Sequence, residues 1–158
     1  MLKFRSMWVS CHGPAVTAAG DPRITRVGAV LRRWKLDELP QLWNVLRGEM
    51  SLIGPRPELE KFVRLYSPAQ REILRATPGL AGMAQLAYPH EAEWLRGAHD
   101  PEAAYVQGLL PLKLAADLEY ETRRTPASDF GLMWRLALMV ARGGRRAPPV
   151  GAFGRQHA

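Results

Sequence analysis

Apolar and polar residues follow one another along this chain mostly with the spacing of helices. The clearest pattern places four large apolar residues at i, i+3, i+4 and i+7, on one face of a helix: Leu39, Leu42, Trp43 and Leu46. The helix is expected to begin near Asp37, a favoured capping residue, with Pro40 in its first turn and Gly48 ending it. This stretch is therefore predicted to be an amphipathic helix.

Similar patterns predict further helices at 27–34, 58–66, 67–76, 102–123 and 129–140. Pro111 interrupts the fourth of these and is expected to divide it into two pieces. Residues 50–53 favour a short extended segment that is followed by a turn at Gly54–Pro57. Residues 80–88 favour a second extended segment, preceded by a turn at Pro78–Gly79. The predicted fold class is mostly α with short extended segments, an α+β domain.

The length of 158 residues fits one domain, and a hydrophobic content of 47% supplies its core. We expect residues 1–141 to form this single compact domain of amphipathic helices at a membrane surface. Residues 142–158 mix Gly, Pro and Arg and predict a disordered basic tail. The single cysteine, Cys11, excludes an intramolecular disulfide and is expected to be a small loop residue. All apolar runs are shorter than the roughly 20 residues that a membrane span requires.

The balance of charge indicates anionic partners. The net charge is +7, the isoelectric point lies near 10.2, and arginines far outnumber lysines. Because a guanidinium group binds phosphate through two parallel hydrogen bonds, this composition suits a phosphorylated ligand. A genome rich in G and C would produce the same arginine content. A basic nucleic-acid-binding module is a second interpretation, but the sequence has no helix-turn-helix, zinc-finger or aromatic RNA-binding motif, so nucleic acid is not an expected partner.

Two adjacent carboxylates, Asp37 and Glu38, lie at a predicted helix start. Both are expected to be ionised at neutral pH, so one could attack phosphorus as a nucleophile while the other helps to bind Mg²⁺. Taken alone, the two residues have a simpler interpretation, in which Asp37 caps the helix and Glu38 compensates the helix dipole.

Two arginines could supply positive charge to the same site. Arg32 lies on the basic helix just upstream of the carboxylates, where it could neutralise phosphate charge during transfer. Arg56 lies between Pro55 and Pro57, which fix the backbone and present the guanidinium at low entropic cost. A solvated helix face and a plain turn are the alternative interpretations of these two segments.

The segment from Leu36 to Pro57, LDELPQLWNVLRGEMSLIGPRP, resembles the core signature of bacterial sugar transferases of the monotopic phosphoglycosyl transferase superfamily. The Lys3–Met7 segment resembles an earlier motif of that family. Tyr66–Pro68 and Pro78–Gln85 then follow in the expected order and spacing. The resemblance extends over roughly residues 3–140.

The resemblance implies a ping-pong transfer of a sugar phosphate from a nucleotide sugar, a UDP-sugar, to a polyprenyl phosphate such as undecaprenyl phosphate. This reaction initiates the synthesis of exopolysaccharide or another glycoconjugate. Asp37 matches the nucleophile and Glu38 matches its partner associated with Mg²⁺, so the implied metal site comprises both carboxylates. Lys3, Arg32 and Arg56 match positions that bring positive charge to the donor phosphates. The implied location is the cytoplasmic face of the inner membrane.

Two departures from the family pattern change these expectations. Family members begin with a basic, hydrophobic segment that forms a re-entrant membrane helix, whereas the match here begins at Lys3, so we expect peripheral attachment. The Asn-Gly-Arg that follows the Ala-Gln pair in many members is replaced here by Leu86–His90. An inactive remnant of the transferase fold would retain the same motifs and is an alternative to the active enzyme.

The last predicted helix has an apolar stripe with two alternative uses. The members of the stripe are Leu132, Met133, Leu136, Met139 and Val140. The stripe either lies in a membrane interface, with Arg135 and the arginines of 142–146 at the headgroups, or packs on the protein core.

Overall fold

The computed structural model of the protein describes residues 1–9 and 12–142. Within these ranges the chain forms eight α-helices: α1 Arg26–Arg33, α2 Gln41–Leu46, α3 Glu60–Val63, α4 Met83–Ala87, α5 Glu91–Trp94, α6 Pro101–Ala104, α7 Leu110–Arg123 and α8 Pro126–Ala141. Two 3₁₀ turns, Leu36–Glu38 and Gln70–Arg75, and a π turn, Tyr105–Leu109, lie between them. Cys11 and residues 143–158 lie outside the described residues, so the predictions for Cys11 and for nearly all of the tail concern residues that the structure does not describe.

The strands are β1 Ser51–Ile53 and β2 Gly79–Ala81, which pair in parallel with Ser51 opposite Gly79 and Ile53 opposite Ala81. A helical chain with one small sheet confirms the predicted α+β class. The prediction of an extended segment over 80–88 is right only up to Ala81. The following helix forms because the Gln85 side chain accepts a hydrogen bond from the Gly82 backbone N–H at 2.9 Å and so caps α4.

The core has two parts. Helix α7 packs on the π turn and on the second 3₁₀ turn around a first group of buried residues that includes Phe62, Ile73 and Tyr105. In the second group, residues of α8 pack against β1 and α4: Ile53, Leu86, Leu132, Leu136 and Met139. Three members of the apolar stripe predicted in the last helix therefore pack in the core, which is the second of its two alternative uses.

Helix α2 has its apolar face turned away from the core. The four apolar residues that define this face are between 41% and 79% exposed: Leu39, Leu42, Trp43 and Leu46. Gln41 and Asn44, which lie between them in sequence, are buried instead. The prediction of an amphipathic helix is therefore correct, but its polar face is the one that contacts the protein. In the described ranges, no helix is both long enough and apolar enough to cross a bilayer.

The start of this helical region also differs from the prediction. Asp37 is not an N-cap: it lies inside the 3₁₀ turn, and α2 begins at Gln41 after Pro40. The Asp37 side chain is held in an ion pair, described below, and so is not used to cap a backbone N–H. Gly48 has a φ of 73° and follows the end of α2, as predicted.

Candidate active site

The two adjacent carboxylates lie on a buried turn. Asp37 is 1% exposed and Glu38 is 7% exposed, and both belong to the 3₁₀ turn between α1 and α2. The residue before this turn, Lys35, has a φ of 55°, a left-handed conformation that residues other than glycine rarely adopt. Such strain commonly accumulates at functional sites. The backbone at Lys35 therefore bends the chain sharply between α1 and the two carboxylates.

Lys3 lies against both carboxylates. Its Nζ is 3.0 Å from Asp37 Oδ2 and 3.7 Å from Glu38 Oε1. The residues on either side fix this position, because the Phe4 N–H donates to the Asp37 backbone carbonyl at 2.9 Å and the Leu2 N–H donates to Asn44 Oδ1 at 2.9 Å. An extended N-terminal segment thus lies across the turn and places an ammonium group on the nucleophile candidate.

Arg56 holds Glu38 with both arms of its guanidinium. Nη1 donates to Oε2 at 3.0 Å and Nη2 donates to Oε1 at 2.6 Å. The backbone next to Arg56 is tied to β2, since the Gly79 N–H donates to the Pro55 carbonyl at 2.9 Å. The strands approach so closely that a Cβ on Gly79 would lie 2.2 Å from the Gly54 nitrogen. Glycine at 54 and 79 therefore permits the contact that positions Arg56.

The electrostatics of the site favour an ionised Glu38. Burial by itself would raise the pKa of this carboxyl, but the charge and hydrogen bonds of Arg56, with further help from Lys35 and Lys3, outweigh burial and hold the pKa below its ordinary value. Glu38 is therefore a carboxylate at neutral pH and already has a cationic partner.

Three buried side-chain polar atoms have no hydrogen-bond partner within the described residues. These atoms are Asp37 Oδ1 and both the Oε1 and the Nε2 of Gln41. Asp37 and Gln41 are separated by about one helical turn, and Gln41 is 0% exposed. Since buried polar groups in folded proteins are nearly always bonded, these atoms mark the place where a ligand or a bound water would find partners.

The structure brings together four of the five residues predicted for the site: Lys3, Asp37, Glu38 and Arg56. Arg32 lies elsewhere: its Nε donates to Ser6 Oγ at 2.7 Å, and among the described residues it contacts neither carboxylate. The sequence analysis did not find Gln41 and Asn44. A signal was present, because both are polar residues within the amphipathic pattern of α2, on the side opposite to its large apolar residues.

An apolar groove with a volume of about 540 Å³ lies beside Glu38. Its lining combines residues around the 3₁₀ turn with residues of α8, and Lys35 and Glu38 are the charged residues of its wall. The apolar walls include Trp34, Leu39, Met133 and Val140. The site therefore places a carboxylate and a cation beside a surface suited to hydrocarbon.

The site is compatible with Mg²⁺ only if a substrate supplies further oxygens. Among residues 1–9 and 12–142 there is no cluster of three or more His, Cys, Asp or Glu side chains that could hold a metal. Mg²⁺ commonly binds one or two carboxylates together with substrate phosphates, and the unpartnered Asp37 Oδ1 suits such a ligand. Asp37 and Glu38 would be the protein's contribution.

The site thus combines two carboxylates held by cations with an apolar groove beside Glu38. A family model described as bacterial sugar transferase matches residues 1–143. The chain belongs to this family.

Several curated proteins are similar to the chain. The exopolysaccharide production protein ExoY of Rhizobium meliloti is 46% identical over 108 residues, which cover 68% of this chain and 46% of that protein. A UDP-glucose:undecaprenyl-phosphate glucose-1-phosphate transferase of Caulobacter vibrioides is 42% identical over 125 residues, or 76% and 43% of the two chains. A UDP-N-acetylgalactosamine-undecaprenyl-phosphate N-acetylgalactosaminephosphotransferase of Aeromonas hydrophila is 40% identical over 138 residues, which cover 82% of this chain and 32% of that protein. The chain spans less than half the length of each of these relatives.

Proposed function

We propose that the chain is the catalytic part of a phosphoglycosyl transferase that moves a sugar 1-phosphate from a UDP-sugar to undecaprenyl phosphate and so initiates exopolysaccharide or other glycoconjugate synthesis. The observation that carries the proposal is the buried pair of carboxylates held by Lys3 and Arg56 at the edge of an apolar groove. The names of the relatives from Caulobacter vibrioides and Aeromonas hydrophila support the choice of a UDP-sugar and undecaprenyl phosphate.

Asp37 is the proposed nucleophile because its carboxylate is the less constrained of the two. One of its oxygens, Oδ1, has no partner among the described residues, whereas both oxygens of Glu38 accept hydrogen bonds from Arg56. An Asp37 oxygen would attack the phosphorus that bears the sugar, forming one P–O bond while the bond to UMP breaks. An oxygen of the polyprenyl phosphate would then attack the same phosphorus, which forms the lipid diphosphate sugar and restores the Asp37 carboxylate.

The cations of the site would move from the carboxylates to the donor. Because Asp37 is 1% exposed beneath Lys3, donor phosphates reach it only when Lys3 releases the carboxylate. Lys3 is 34% exposed and lies on an N-terminal segment, so its ammonium group can move the short distance onto a phosphate oxygen. Arg56 suits the diphosphate for the same reason that it suits Glu38, since both present paired oxygens to its planar fork.

Mg²⁺ is the proposed cofactor, with Asp37 and Glu38 as its protein ligands. When bound, it would neutralise charge on the diphosphate of the donor. Without a substrate, Lys3 and Arg56 already balance the two carboxylates, so a divalent cation would add uncompensated positive charge. We therefore expect Mg²⁺ to bind together with the nucleotide, and its affinity to be weak in the absence of nucleotide.

The proposed acceptor site is the apolar groove between the 3₁₀ turn and α8. A polyprenyl chain is a hydrocarbon, and the groove offers large apolar side chains such as Trp34, Leu39 and Met133 over a volume of about 540 Å³. The phosphate of the acceptor would lie at Lys35, the cation in the wall of the groove. This arrangement would bring an acceptor oxygen to the carboxylate turn on the side from which the lipid enters.

The proposed location is peripheral, at the cytoplasmic face of the inner membrane. A lipid acceptor requires its groove to open toward a bilayer, and the surface next to the groove is apolar. Helix α2 exposes Leu42, Trp43 and Leu46, and α1 exposes Val27 and Val30. Exposed large apolar residues of this kind are typical of surfaces that bind membranes or other proteins.

The experiment that tests the activity is detection of the covalent intermediate. The protein is incubated with a UDP-sugar and Mg²⁺ without acceptor, and intact-mass spectrometry is expected to show the added mass of one sugar phosphate together with one equivalent of UMP. Addition of undecaprenyl phosphate should remove the added mass. Asp37→Asn should prevent both the added mass and the release of UMP while circular dichroism stays unchanged, because the replacement has nearly the same volume. Wild-type protein that releases no UMP in the presence of both substrates would contradict the proposal.

A further inference from the structure

A second cavity lies beside Arg56 and has no role in the steps described above. Its volume is about 290 Å³, and its walls come from the 55–58 segment, the second 3₁₀ turn and α7. Arg56 lines this cavity and at the same time binds Glu38. A ligand fragment in the cavity would therefore be within reach of the carboxylates through a single guanidinium group.

Two polar groups in the wall of the cavity have hydrogen-bonding capacity that the protein does not use. The Tyr66 hydroxyl makes no hydrogen bond within the described residues, although the residue is only 6% exposed. Asp117 accepts a hydrogen bond from the Ala84 N–H through Oδ1 at 2.8 Å, while its Oδ2 has no such partner in the same ranges. Neither atom is fully enclosed by the protein, so both are available to the polar atoms of a ligand in the cavity.

The cationic groups of the wall, in contrast, are already paired. Lys113 Nζ lies 3.2 Å from Glu58 Oε1, 3.0 Å from Glu91 Oε2 and 2.9 Å from the Tyr105 hydroxyl. Arg56 is paired with Glu38. The interior of the cavity thus offers no free cation for a phosphate, and it suits a neutral group. A phosphate attached to that group would lie at Arg56, whose guanidinium can pass from Glu38 to phosphate oxygens.

Burial raises the pKa of both unused groups, but at neutral pH Asp117 is still mostly ionised, whereas Tyr66 keeps its proton. Burial raises the pKa of Asp117 to about 6, even though the hydrogen bond from Ala84 and the charge of Lys113 act in the opposite direction. Burial and the neighbouring carboxylates Glu58 and Asp117 raise the pKa of Tyr66, so its hydroxyl is a hydrogen-bond donor at every physiological pH.

The remaining wall is apolar and selects among neutral ligands. It includes Pro55, Val63, Ile73 and Leu114. A sugar carries hydroxyl groups around its whole ring and would bury several of them against these side chains without partners, which is costly. A pyrimidine base has apolar faces and a short polar edge with both donors and acceptors. The cavity lies just below the range of about 300–1,000 Å³ for drug-sized ligands, so it suits a nucleoside fragment and not a whole nucleotide sugar.

We propose that this cavity binds the uracil base of the donor, with Tyr66 and Asp117 hydrogen-bonding to the polar edge of the base and Arg56 holding the adjoining phosphate. This assignment rests on the proposed function. Tyr66 donates its hydroxyl proton to a carbonyl oxygen of the base, and Asp117 Oδ2 accepts the N–H of the ring. The diphosphate then extends past Arg56 to the carboxylate turn, where Asp37 attacks.

The test measures the binding of UMP, uridine and inorganic pyrophosphate to the full chain by calorimetry, for wild type, Tyr66→Phe and Tyr120→Phe. Tyr66→Phe removes a hydroxyl that no described protein group uses, so the thermal transition should stay unchanged while UMP and uridine bind about 3- to 10-fold more weakly. Pyrophosphate binding should not change. Tyr120→Phe is the matched control: its hydroxyl donates to Asp129 at 2.8 Å, so this variant should lose stability but bind UMP normally.

A second variant and the pattern of outcomes separate this inference from the proposed function. Asp117→Asn should also weaken the binding of UMP and uridine, and it should reduce the preference of the protein for UMP over CMP. If UMP binds and is released in turnover but Tyr66→Phe binds it as tightly as wild type does, the base lies elsewhere and only the cavity assignment is overturned. If wild-type protein binds no uridine nucleotide and releases no UMP, the UDP-sugar donor fails together with the cavity.

Discussion

Arg56 binds Glu38 through two parallel hydrogen bonds, Nη1 to Oε2 at 3.0 Å and Nη2 to Oε1 at 2.6 Å. The side chains are 20% and 9% exposed, so little water competes for either group. Paired hydrogen bonds of this geometry are the strongest that an arginine makes with a carboxylate, and the same fork can accept a diphosphate. The shape of the guanidinium, and not only its charge, is therefore what the site requires.

Arg56→Lys is expected to damage the site although it preserves the charge. An ammonium group cannot donate to both Glu38 oxygens in parallel, so we expect a loss of about 1–3 kcal/mol in the free energy of unfolding. UMP release should fall by at least about tenfold, because about 1.4 kcal/mol of lost transition-state binding corresponds to that factor. Urea denaturation and a UMP-release assay measure the two effects.

Arg47→Lys is the matched control for this substitution. Arg47 also pairs with a glutamate, with Nε 2.9 Å from Glu49 Oε1, but the two side chains are 61% and 47% exposed. An exposed ion pair contributes about 0–1 kcal/mol, so the control should unfold and turn over like the wild type. Equal effects of the two substitutions would show that the buried geometry at Arg56 has no special importance.

Asp117→Asn is expected to stabilise the protein relative to the wild type, by an amount that grows as the pH rises. The folded pKa of Asp117 is about 6, against an ordinary value of 3.8, so the folded state binds this proton more tightly than the unfolded state does. Below about pH 4 the carboxyl is protonated in both states, so its burial does not lower the free energy of unfolding through ionisation. As the pH rises through 6, the free energy of unfolding falls progressively, by up to about 3 kcal/mol. Asparagine does not ionise and keeps an oxygen for the Ala84 N–H. The difference in unfolding free energy between variant and wild type should grow from pH 4 to pH 7, and a difference that is independent of pH would contradict this account.

The sequence predicted the helical regions well because their apolar spacing is local information. It also predicted that Lys3, Asp37, Glu38 and Arg56 belong to one site, through the resemblance to a family. Arg32 shows the limit of that reasoning, since its place on α1 next to the carboxylates in sequence does not tell which way its side chain points. In the structure it turns to Ser6.

The orientation of α2 could not be read from its pattern for a related reason. An apolar stripe predicts a buried face in a water-surrounded domain, yet Trp43 and Leu46 are 57% and 79% exposed. The pattern gives the two faces of a helix but does not say which one contacts the protein. The Asp117 and Tyr66 cavity was missed because its residues are far apart in sequence and come together only when α7 packs on the second 3₁₀ turn.

Gln41→Met is expected to stabilise the fold and impair the reaction. Both polar atoms of the Gln41 amide are buried without a partner among the described residues, and methionine has nearly the same shape without those atoms. Removing an unsatisfied buried group should raise the free energy of unfolding by about 1–3 kcal/mol. UMP release should fall if the donor uses this amide, which lies about one helical turn from Asp37 in sequence and has no other partner among the described residues. Chemical denaturation and turnover measure the two changes.

Gln85→Met shows what the same substitution does to a glutamine that has a partner. Gln85 Oε1 accepts the Gly82 N–H at 2.9 Å and caps α4, so methionine there should destabilise the protein by about 1 kcal/mol. A Gln41→Met protein that is destabilised to the same degree would mean that the Gln41 amide has a partner in solution, such as a bound water.

The last prediction identifies the surface that meets the membrane. We expect the protein to float with vesicles containing anionic lipid at low ionic strength and to be released by high salt. The contact should be made by α2, which contributes Leu42 to the groove proposed for the acceptor and exposes Trp43 and Leu46. Arginines near this surface would add on the order of 1 kcal/mol each, which salt would screen.

Two double variants decide between the exposed apolar residues of α2 and those of α8. Trp43→Ser with Leu46→Ser removes side chains that are 57% and 79% exposed, and Trp134→Ser with Phe130→Ser removes side chains that are 60% and 66% exposed. Because all four are exposed, neither variant should unfold the protein, and circular dichroism checks this. The first variant should lose flotation and the second should keep it, since Trp43 and Leu46 continue the exposed apolar row of Leu39 and Leu42, which line the groove, whereas Phe130 and Trp134 are not among its lining residues. Loss of flotation only in the α8 variant would reverse the assignment, and flotation that resists both salt and carbonate would show insertion into the bilayer in place of a peripheral contact.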